Sequence, residues 1–270
     1  MYKAIFIDID GTLRDNNKNI SDRTVNVIKS VTDKGIQVVL CSGRQHKYIE
    51  NISRYCNASK FVISSTGGSI YDYENDQLMY ANSMDKDAVI SLYKIAQNAD
   101  VRFLMNAPDN IVTTKVKYND GLEKLLEEPI ETFVNNNSVF QCTVGDNEYL
   151  KIKKIIPSIE QVVNCEIKAM HRSLKDDSAP RTGYIYCDVS NETTSKGKAV
   201  RKFCEIFGIK KEETIAIGDD SNDVSMFKEV GLSVAMGNAN DKIKEIADVV
   251  TLSNEEDGVA IFLEKLFTEI

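Results

Sequence analysis

The chain has 270 residues, of which 42% are hydrophobic and 27% are charged, and its formal net charge is -8. This composition is typical of a globular protein with one large or two modest domains, and the negative charge disfavours nucleic acid or an anionic membrane as the main partner. Only two histidines are present, which excludes a histidine-rich zinc site and most Ser-His-Asp chemistry. Six scattered cysteines without a C-x-x-C pair, and no apolar run of signal or membrane-spanning length, predict a cytoplasmic protein with reduced thiols.

The first predicted strand ends in a pair of aspartates. Residues 5–7 form the continuous apolar run of a strand buried on both faces, and Asp8 and Asp10 follow it, with Gly11 next. Residues two apart on a strand point the same way, so we expect the two carboxylates to converge, where a proton or a cation must offset their repulsion. A polar loop is the alternative for a single aspartate, and a calcium loop would place its glycine at the sixth position rather than the fourth.

An α/β alternation continues from there. Ser21 is predicted to cap a helix, and a second buried strand at residues 36–41 ends in Ser42-Gly43-Arg44. Ligands bind at such strand ends in open α/β sheets, although Ser42 alone could be a turn residue. A helix to about Tyr55 leads to a third strand at residues 61–64.

The pattern changes at about residue 83. A helix at residues 85–98 is followed by strands with short turns and by a second helix at residues 148–156, which predicts an antiparallel sheet with helices against one face. Residues 135–137 and 175–181 are expected to be exposed loops. The fold class predicted is therefore α/β, with a Rossmann-like parallel-sheet core from residues 1–82 and 190–270 and an inserted α+β domain at 83–189.

A second acidic cluster follows a buried strand near the end of the chain. Asp219, Asn222 and Asp223 come directly after residues 214–218, and an acidic cap with its first helical turn is the alternative explanation. Beside Asp8 and Asp10 these oxygens would form a site suited to Mg²⁺. Lys196, at the start of another helix, is either part of that site or a solvated lysine, and the chain has no P-loop motif.

Taken together, these segments resemble the four motifs of the haloacid dehalogenase-like hydrolases, in order: residues 8–12, 42–44, 195–197 and 218–223. Residues 235–239 and 256–260 resemble the Cof-type subfamily of sugar-phosphate phosphatases, and the insertion corresponds to the cap of that subfamily. One position departs from the pattern, because many Cof-type sequences carry Asn-Gly where this chain has Thr66-Gly67.

The resemblance implies a Mg²⁺-dependent phosphatase that hydrolyses small phosphorylated metabolites through an aspartyl-phosphate. It implies that Asp8 is the nucleophile and that Asp10 is the general acid and then the general base. The other implied site residues are Ser42, Gly43, Lys196 and Asn222 for phosphate, Asp8, Asp219 and the backbone carbonyl of Asp10 for the metal, and Asp223 and Asn238 in support.

Specificity is expected to come from the inserted domain, closing over the strand ends, with Lys175 and Arg181 as candidate contacts to the substrate. Two other functions stay open. A phosphomutase would return the phosphoryl group to a second position on its substrate, and a regulator would bind a phosphorylated metabolite without turning it over. An aspartate at position 10 argues for hydrolysis over halide displacement, because protonating a leaving oxygen needs an acid, and it argues against a regulator, because a protein that only binds needs no general acid.

Overall fold

The structure of the protein is a computed structural model that describes residues 2–116, 121–172 and 185–268. The chain divides into two compact units, one from residues 1–80 with 195–270 and the other from residues 81–194. The predicted specificity loop at residues 175–181 lies outside the described residues. Across the described part of the chain, no helix has the length and apolar character needed to cross a membrane.

Helices and strands alternate in the first unit on both sides of the insertion. Before the insertion they are β1 (Ala4–Asp8), α1 (Asp22–Asp33), β2 (Gln37–Cys41), α2 (His46–Cys56), β3 (Phe61–Ser64), β4 (Ser69–Asp72) and β5 (Gln77–Ala81). The insertion has α3 (Lys86–Asn98), β6 (Arg102–Asn106), β7 (Ile111–Thr113), β8 (Glu123–Leu125), α4 (Ile130–Asn136), β9 (Gln141–Asp146), α5 (Tyr149–Ile159), β10 (Cys165–Arg172) and β11 (Ile185–Asn191). After it come α6 (Lys196–Phe207), β12 (Thr214–Gly218), α7 (Val224–Phe227), β13 (Leu232–Ala235), α8 (Asp241–Ile246), β14 (Val249–Val250) and α9 (Gly258–Thr268).

An eight-stranded sheet in the order β14-β13-β12-β1-β2-β3-β4-β5 forms the centre of the first unit. β1 pairs in parallel with both β12 and β2, and the first antiparallel pair is β3 with β4. The predicted α/β fold with a parallel sheet is confirmed. Because the chain leaves β1 toward β2 and later returns on its other side at β12, the carboxyl end of β1 is a switch point where ligands bind in such sheets.

Both faces of β1 are covered, which explains its continuous apolar run. Ile5 and Ile7 belong to one apolar cluster, together with residues of α1, α2 and α9. Ala4 and Phe6 belong to the cluster on the opposite face, where Phe6 meets Phe203 of α6 edge-to-face at 5.4 Å between ring centroids. Fully burying a side chain as large as Phe is worth about 1.5–3 kcal/mol, so this contact fixes α6 against the sheet.

Side-chain caps begin two of the helices, and the cap at Ser21 was predicted from the sequence. The side chain of Ser21 accepts the backbone N–H of Thr24, and Asp85 caps α3 by accepting from residues 87 and 88. Two predictions in the insertion were wrong. Residues 135 and 136 belong to α4 rather than to a loop, and α5 continues to Ile159 through Pro157, since its buried face extends past the proline.

The insertion contains a six-stranded sheet in the order β10-β11-β9-β6-β7-β8. Its pairs are antiparallel except for β7 with β8. One face of the sheet packs on α3, α4 and α5 in an apolar cluster. Strand alternation places polar side chains on the other face, including Asn106, Gln141, Thr143 and Asp188.

Candidate active site

β1 delivers Asp8 to the carboxyl end of the sheet. Asp8 is the last residue of the strand, pairs in register with Cys41, and is only 7% exposed. The chain then turns at Gly11, whose φ of 91° is in the left-handed region. A Cβ at this glycine would lie 2.4 Å from Oδ2 of Asp219, so no other residue allows the two acidic segments to approach so closely.

Lys196 joins the two acidic segments. It is the first residue of α6, behind the N-cap Ser195, and is only 1% exposed. Its Nζ donates to Oδ1 of Asp8 at 2.5 Å and to Oδ1 of Asp223 at 2.7 Å. A buried ammonium paired with two buried carboxylates is not a solvated surface lysine, and the structure excludes that alternative.

Asp223 shapes the second acidic loop. Its Oδ2 accepts the backbone N–H groups of Asp219 and Asp220 at 3.0 and 3.1 Å, while its Oδ1 accepts from the lysine. Its side chain makes no capping hydrogen bond to α7, which begins only at Val224. Asp223 therefore folds the loop back on itself and holds Asp219 at the end of β12, instead of serving as a helix cap.

The carboxylates of Asp8, Asp219 and Asp223 form a cluster with one oxygen from each within 4.8 Å of the others. Asp219 is oriented by Thr12, whose Oγ1 donates to its Oδ1 at 2.7 Å. Nearby, Oδ1 of Asn222 is buried and has no hydrogen-bond partner among the residues described. A set of hard oxygen atoms with an unused acceptor fits a cation such as Mg²⁺.

The charges of the cluster do not balance. Burial raises the pKa of Asp8 well above its ordinary value although the charge of Lys196 lowers it, and the carboxylates of Asp223 and Asp219 raise it further. Burial also raises the pKa of Asp219, to about 6, against the hydrogen bond from Thr12. The lysine keeps its charge, because its two carboxylates raise its pKa although burial alone would lower it. One ammonium among three carboxylates leaves an excess negative charge that a cation would neutralise.

The side chain of Asp10 lies outside this carboxylate cluster. β1 ends at Asp8, so the alternation expected to align Asp10 with Asp8 does not continue that far. The carboxylate of Asp10 instead pairs with Arg44, whose Nε and Nη2 donate to its two oxygens at 2.8 and 3.0 Å. Partial burial raises the pKa of Asp10, but the hydrogen bonds and charge of Arg44, together with the charges of Arg14 and Lys18, outweigh it, and the pKa is lower than usual.

Ser42 and Gly43 lie in the loop after β2, the strand next to β1. Ser42 is buried, and its backbone N–H donates to the carbonyl of Ile63 at 3.0 Å while its own carbonyl accepts from Thr66 at 3.1 Å. Thr66 has a φ of 58°, a left-handed conformation that a β-branched residue rarely adopts. The short turn that contains Thr66 therefore stabilises the Ser42 loop through this hydrogen bond, and the backbone of Thr66 is strained.

Asn238 connects the loop after β1 to the segment before α9 through side-chain hydrogen bonds. Its Nδ2 donates to the carbonyl of Gly11 at 2.9 Å, and its Oδ1 accepts the backbone N–H of Asn254 at 3.0 Å. The prediction assigned no role to Thr12 or to the Arg44 side chain, although both lie within the quoted motifs. Hydrogen bonds across 207 and 34 residues have no signal in local sequence.

Comparisons with known proteins agree with this arrangement. The family described as haloacid dehalogenase-like hydrolase matches residues 5–263. Two Bacillus subtilis relatives are each named as a 5-amino-6-(5-phospho-D-ribitylamino)uracil phosphatase. YcsE is 28% identical over 258 residues, covering 96% of this chain and 93% of its own length, and YwtE is 29% identical over 289 residues, covering 98% of each. A crystal structure of a haloacid dehalogenase-like hydrolase from Bacteroides thetaiotaomicron is 27% identical with a TM-score of 0.80, covering 99% of this chain and 100% of that one.

The match extends over nearly the whole chain, and the relatives' names confirm the predicted enzyme class, a hydrolase of phosphoric monoesters. The chain belongs to the haloacid dehalogenase-like hydrolases.

Proposed function

We propose that the protein is a Mg²⁺-dependent phosphatase that hydrolyses small phosphorylated metabolites through an aspartyl-phosphate on Asp8. The observation that carries the proposal is the buried ion pair of Asp8 with Lys196 inside a cluster of three carboxylates. A carboxylate that attacks a phosphate monoester faces repulsion between like charges, and an adjacent fixed ammonium reduces it. A structural ion pair alone would not need the excess of acidic groups.

In the first step, an oxygen of Asp8 attacks the phosphorus atom and the bond to the leaving oxygen breaks. Asp10 donates its proton to that oxygen, so the substrate departs as a neutral alcohol. In the second step, water attacks the phosphorus of the aspartyl-phosphate while Asp10 takes a proton from it. Inorganic phosphate leaves, and Asp8 is regenerated as a carboxylate.

Lys196, Ser42 and the backbone of Gly43 are proposed to hold the phosphoryl oxygens, with the side-chain Nδ2 of Asn222, whose Oδ1 is then left for the cation. Asp8, Asp219 and the backbone carbonyl of Asp10 are the proposed ligands of Mg²⁺, and Asp223 and Asn238 keep the loops around them in place. When bound, Mg²⁺ would neutralise charge on the transferring phosphoryl group. The unused Oδ1 of Asn222 and the acidic excess support a cation here.

The leaving group is proposed to be a sugar or polyol, by analogy with the ribityl phosphate in the names of the two relatives. We place its recognition in the insertion, acting as a cap. The polar face of the cap sheet carries Asn106 and Gln141, and Thr143 donates to Oδ1 of Asp188 at 2.6 Å. Amide, hydroxyl and carboxylate groups of this kind suit the hydroxyls of a polyol.

The decisive experiment is to incubate the purified protein with a panel of phosphate esters, including 5-amino-6-(5-phospho-D-ribitylamino)uracil and several sugar phosphates. We expect release of inorganic phosphate with added Mg²⁺ and none with excess EDTA. An isomeric phosphate ester in place of inorganic phosphate would indicate a phosphomutase. Binding of a panel member without turnover would indicate a regulator, and activity that persists in EDTA would contradict the metal assignment.

A further inference from the structure

Arg44 connects the ends of two neighbouring strands. Its side chain holds both carboxylate oxygens of Asp10 after β1, while its own backbone belongs to the loop after β2. The carbonyl of Arg44 accepts from Ser65 at 2.9 Å, and its N–H donates to Oγ of Ser42 at 3.3 Å. The guanidinium therefore extends toward Asp10 from a backbone that is itself hydrogen-bonded on both sides.

The guanidinium is also held from its other side. Its central carbon lies 4.4 Å from the centre of the Tyr48 ring, and the hydroxyl of Tyr48 accepts from Nη1 of Arg14 at 2.7 Å. An ion pair as exposed as this one, with side chains 33% and 44% exposed, is normally mobile and contributes little to stability. A planar guanidinium that lies over an aromatic ring is much more restricted in orientation than a lone lysine or arginine side chain.

We propose that Arg44 is the positioning residue of Asp10 and acts on catalysis through it. This inference rests on the proposed function, in which Asp10 transfers the proton of the leaving alcohol. Asp10 lies beyond the end of β1, so the sheet does not fix its side chain, and the guanidinium of Arg44 supplies the missing restraint. Each carboxylate oxygen of Asp10 has two lone-pair sites, and the guanidinium of Arg44 occupies one site on each oxygen. The other stays open to the leaving oxygen or to water, so Asp10 can act without breaking the pair.

The test compares two substrates that depend differently on an acid. An alkyl phosphate has a poor leaving group that needs a proton, whereas p-nitrophenyl phosphate departs as a stable anion. Since a misplacement of about 1 Å can cost roughly 10²-fold in rate, we expect Arg44→Ala to lower kcat/KM, which reports the step in which the leaving group departs, about 10- to 100-fold for the alkyl ester. For p-nitrophenyl phosphate the loss in kcat/KM should be no more than a few-fold, whereas kcat for both esters also includes the shared hydrolysis of the aspartyl-phosphate.

Arg54→Ala is a matched control, because Arg54 lies on α2, the helix that also carries Tyr48, its guanidinium lies 4.4 Å from the centre of the Tyr73 ring, and it pairs with Glu50 at 2.9 Å. It should leave both rates unchanged. Arg44→Lys keeps the positive charge but loses the two-point contact of the guanidinium, so it should recover part of the rate that Arg44→Ala loses. In an Asp10→Asn background, Arg44→Ala should add less than about a 2-fold further loss, as expected for residues that act as one unit.

Three results would overturn the inference. The first is an equal rise in KM for both esters at constant kcat, which would mean that Arg44 binds the phosphoryl group directly. The second is an undiminished effect of Arg44→Ala in the Asp10→Asn background, and the third is a loss in kcat/KM that is equal for the two esters. If Arg44→Ala does not fold, Arg44→Lys and Tyr48→Leu must show the same bias against the poor leaving group. A wild-type protein that hydrolyses neither ester with Mg²⁺ would refute the proposed function instead.

Discussion

Replacing Lys196 by methionine tests the central ion pair of the site. Methionine fills nearly the same volume but leaves the buried carboxylates of Asp8 and Asp223 without the ammonium that lies between them. Removing one partner of a buried pair costs about 3–5 kcal/mol, because the remaining charge is uncompensated. At about 2–4 °C per kcal/mol for a chain of this size, the melting temperature should fall by on the order of 10 °C.

The stability lost in Lys196→Met should increase as the pH rises. Burial already raises the pKa of Asp8, so folding favours its protonated form over its charged form. A carboxylate of this kind costs stability as pH rises from its unfolded pKa through its folded pKa, and this cost vanishes in acid. Without the lysine the folded pKa of Asp8 rises further, so Lys196→Met should lose more stability at pH 8 than at pH 5.

The assay is thermal unfolding followed by circular dichroism at both pH values, in EDTA so that no bound cation stabilises the variant. Lys202→Met is the matched control, since Lys202 lies on the same helix and pairs with Glu205 on the surface at 2.6 Å. An exposed pair of this kind is worth about 0–1 kcal/mol, so the control should melt near the wild type. A Lys196→Met variant as stable as the control, or one equally destabilised at both pH values, would refute the reasoning.

Four further predictions follow from the same geometry. Asp8→Asn should abolish turnover but keep the fold, because Lys196 retains Asp223, and residual phosphatase activity in the pure variant would remove the nucleophile assignment. Asp10→Asn should slow hydrolysis by roughly 10²–10⁴-fold, most for poor leaving groups, which steady-state rates across an ester series will show. Asp219→Ala should weaken Mg²⁺ binding measured by calorimetry, and an unchanged affinity would exclude it as a ligand. Thr66→Asn should raise the free energy of unfolding by about 1 kcal/mol, because asparagine tolerates the left-handed conformation better, and a lower stability in urea unfolding would argue against strain at this position.

Much of the fold was predictable because its signals are local. The apolar run of β1, the cap at Ser21 and the helical pattern of residues 85–98 each depend on a few consecutive residues, and they identified the elements correctly. The same holds for the acidic residues at strand ends, since the carboxyl ends of parallel strands share one edge of the sheet. The fold class and the segments of the candidate site therefore followed from the sequence alone. The path of α5 through Pro157 did not, because packing of its buried face outweighed the local signal to stop.

Only the tertiary structure decided which side chains act on one another. Lys196 meets Asp8 across 188 residues, and Asp10 pairs with Arg44 rather than joining the carboxylate cluster. The pattern of residues along a strand states which way a side chain points, but not which charge from another segment lies within hydrogen-bonding distance. That depends on how α6 packs against the sheet and how the loop after β2 turns, because electrostatic interactions act through space and are strong only where burial excludes water.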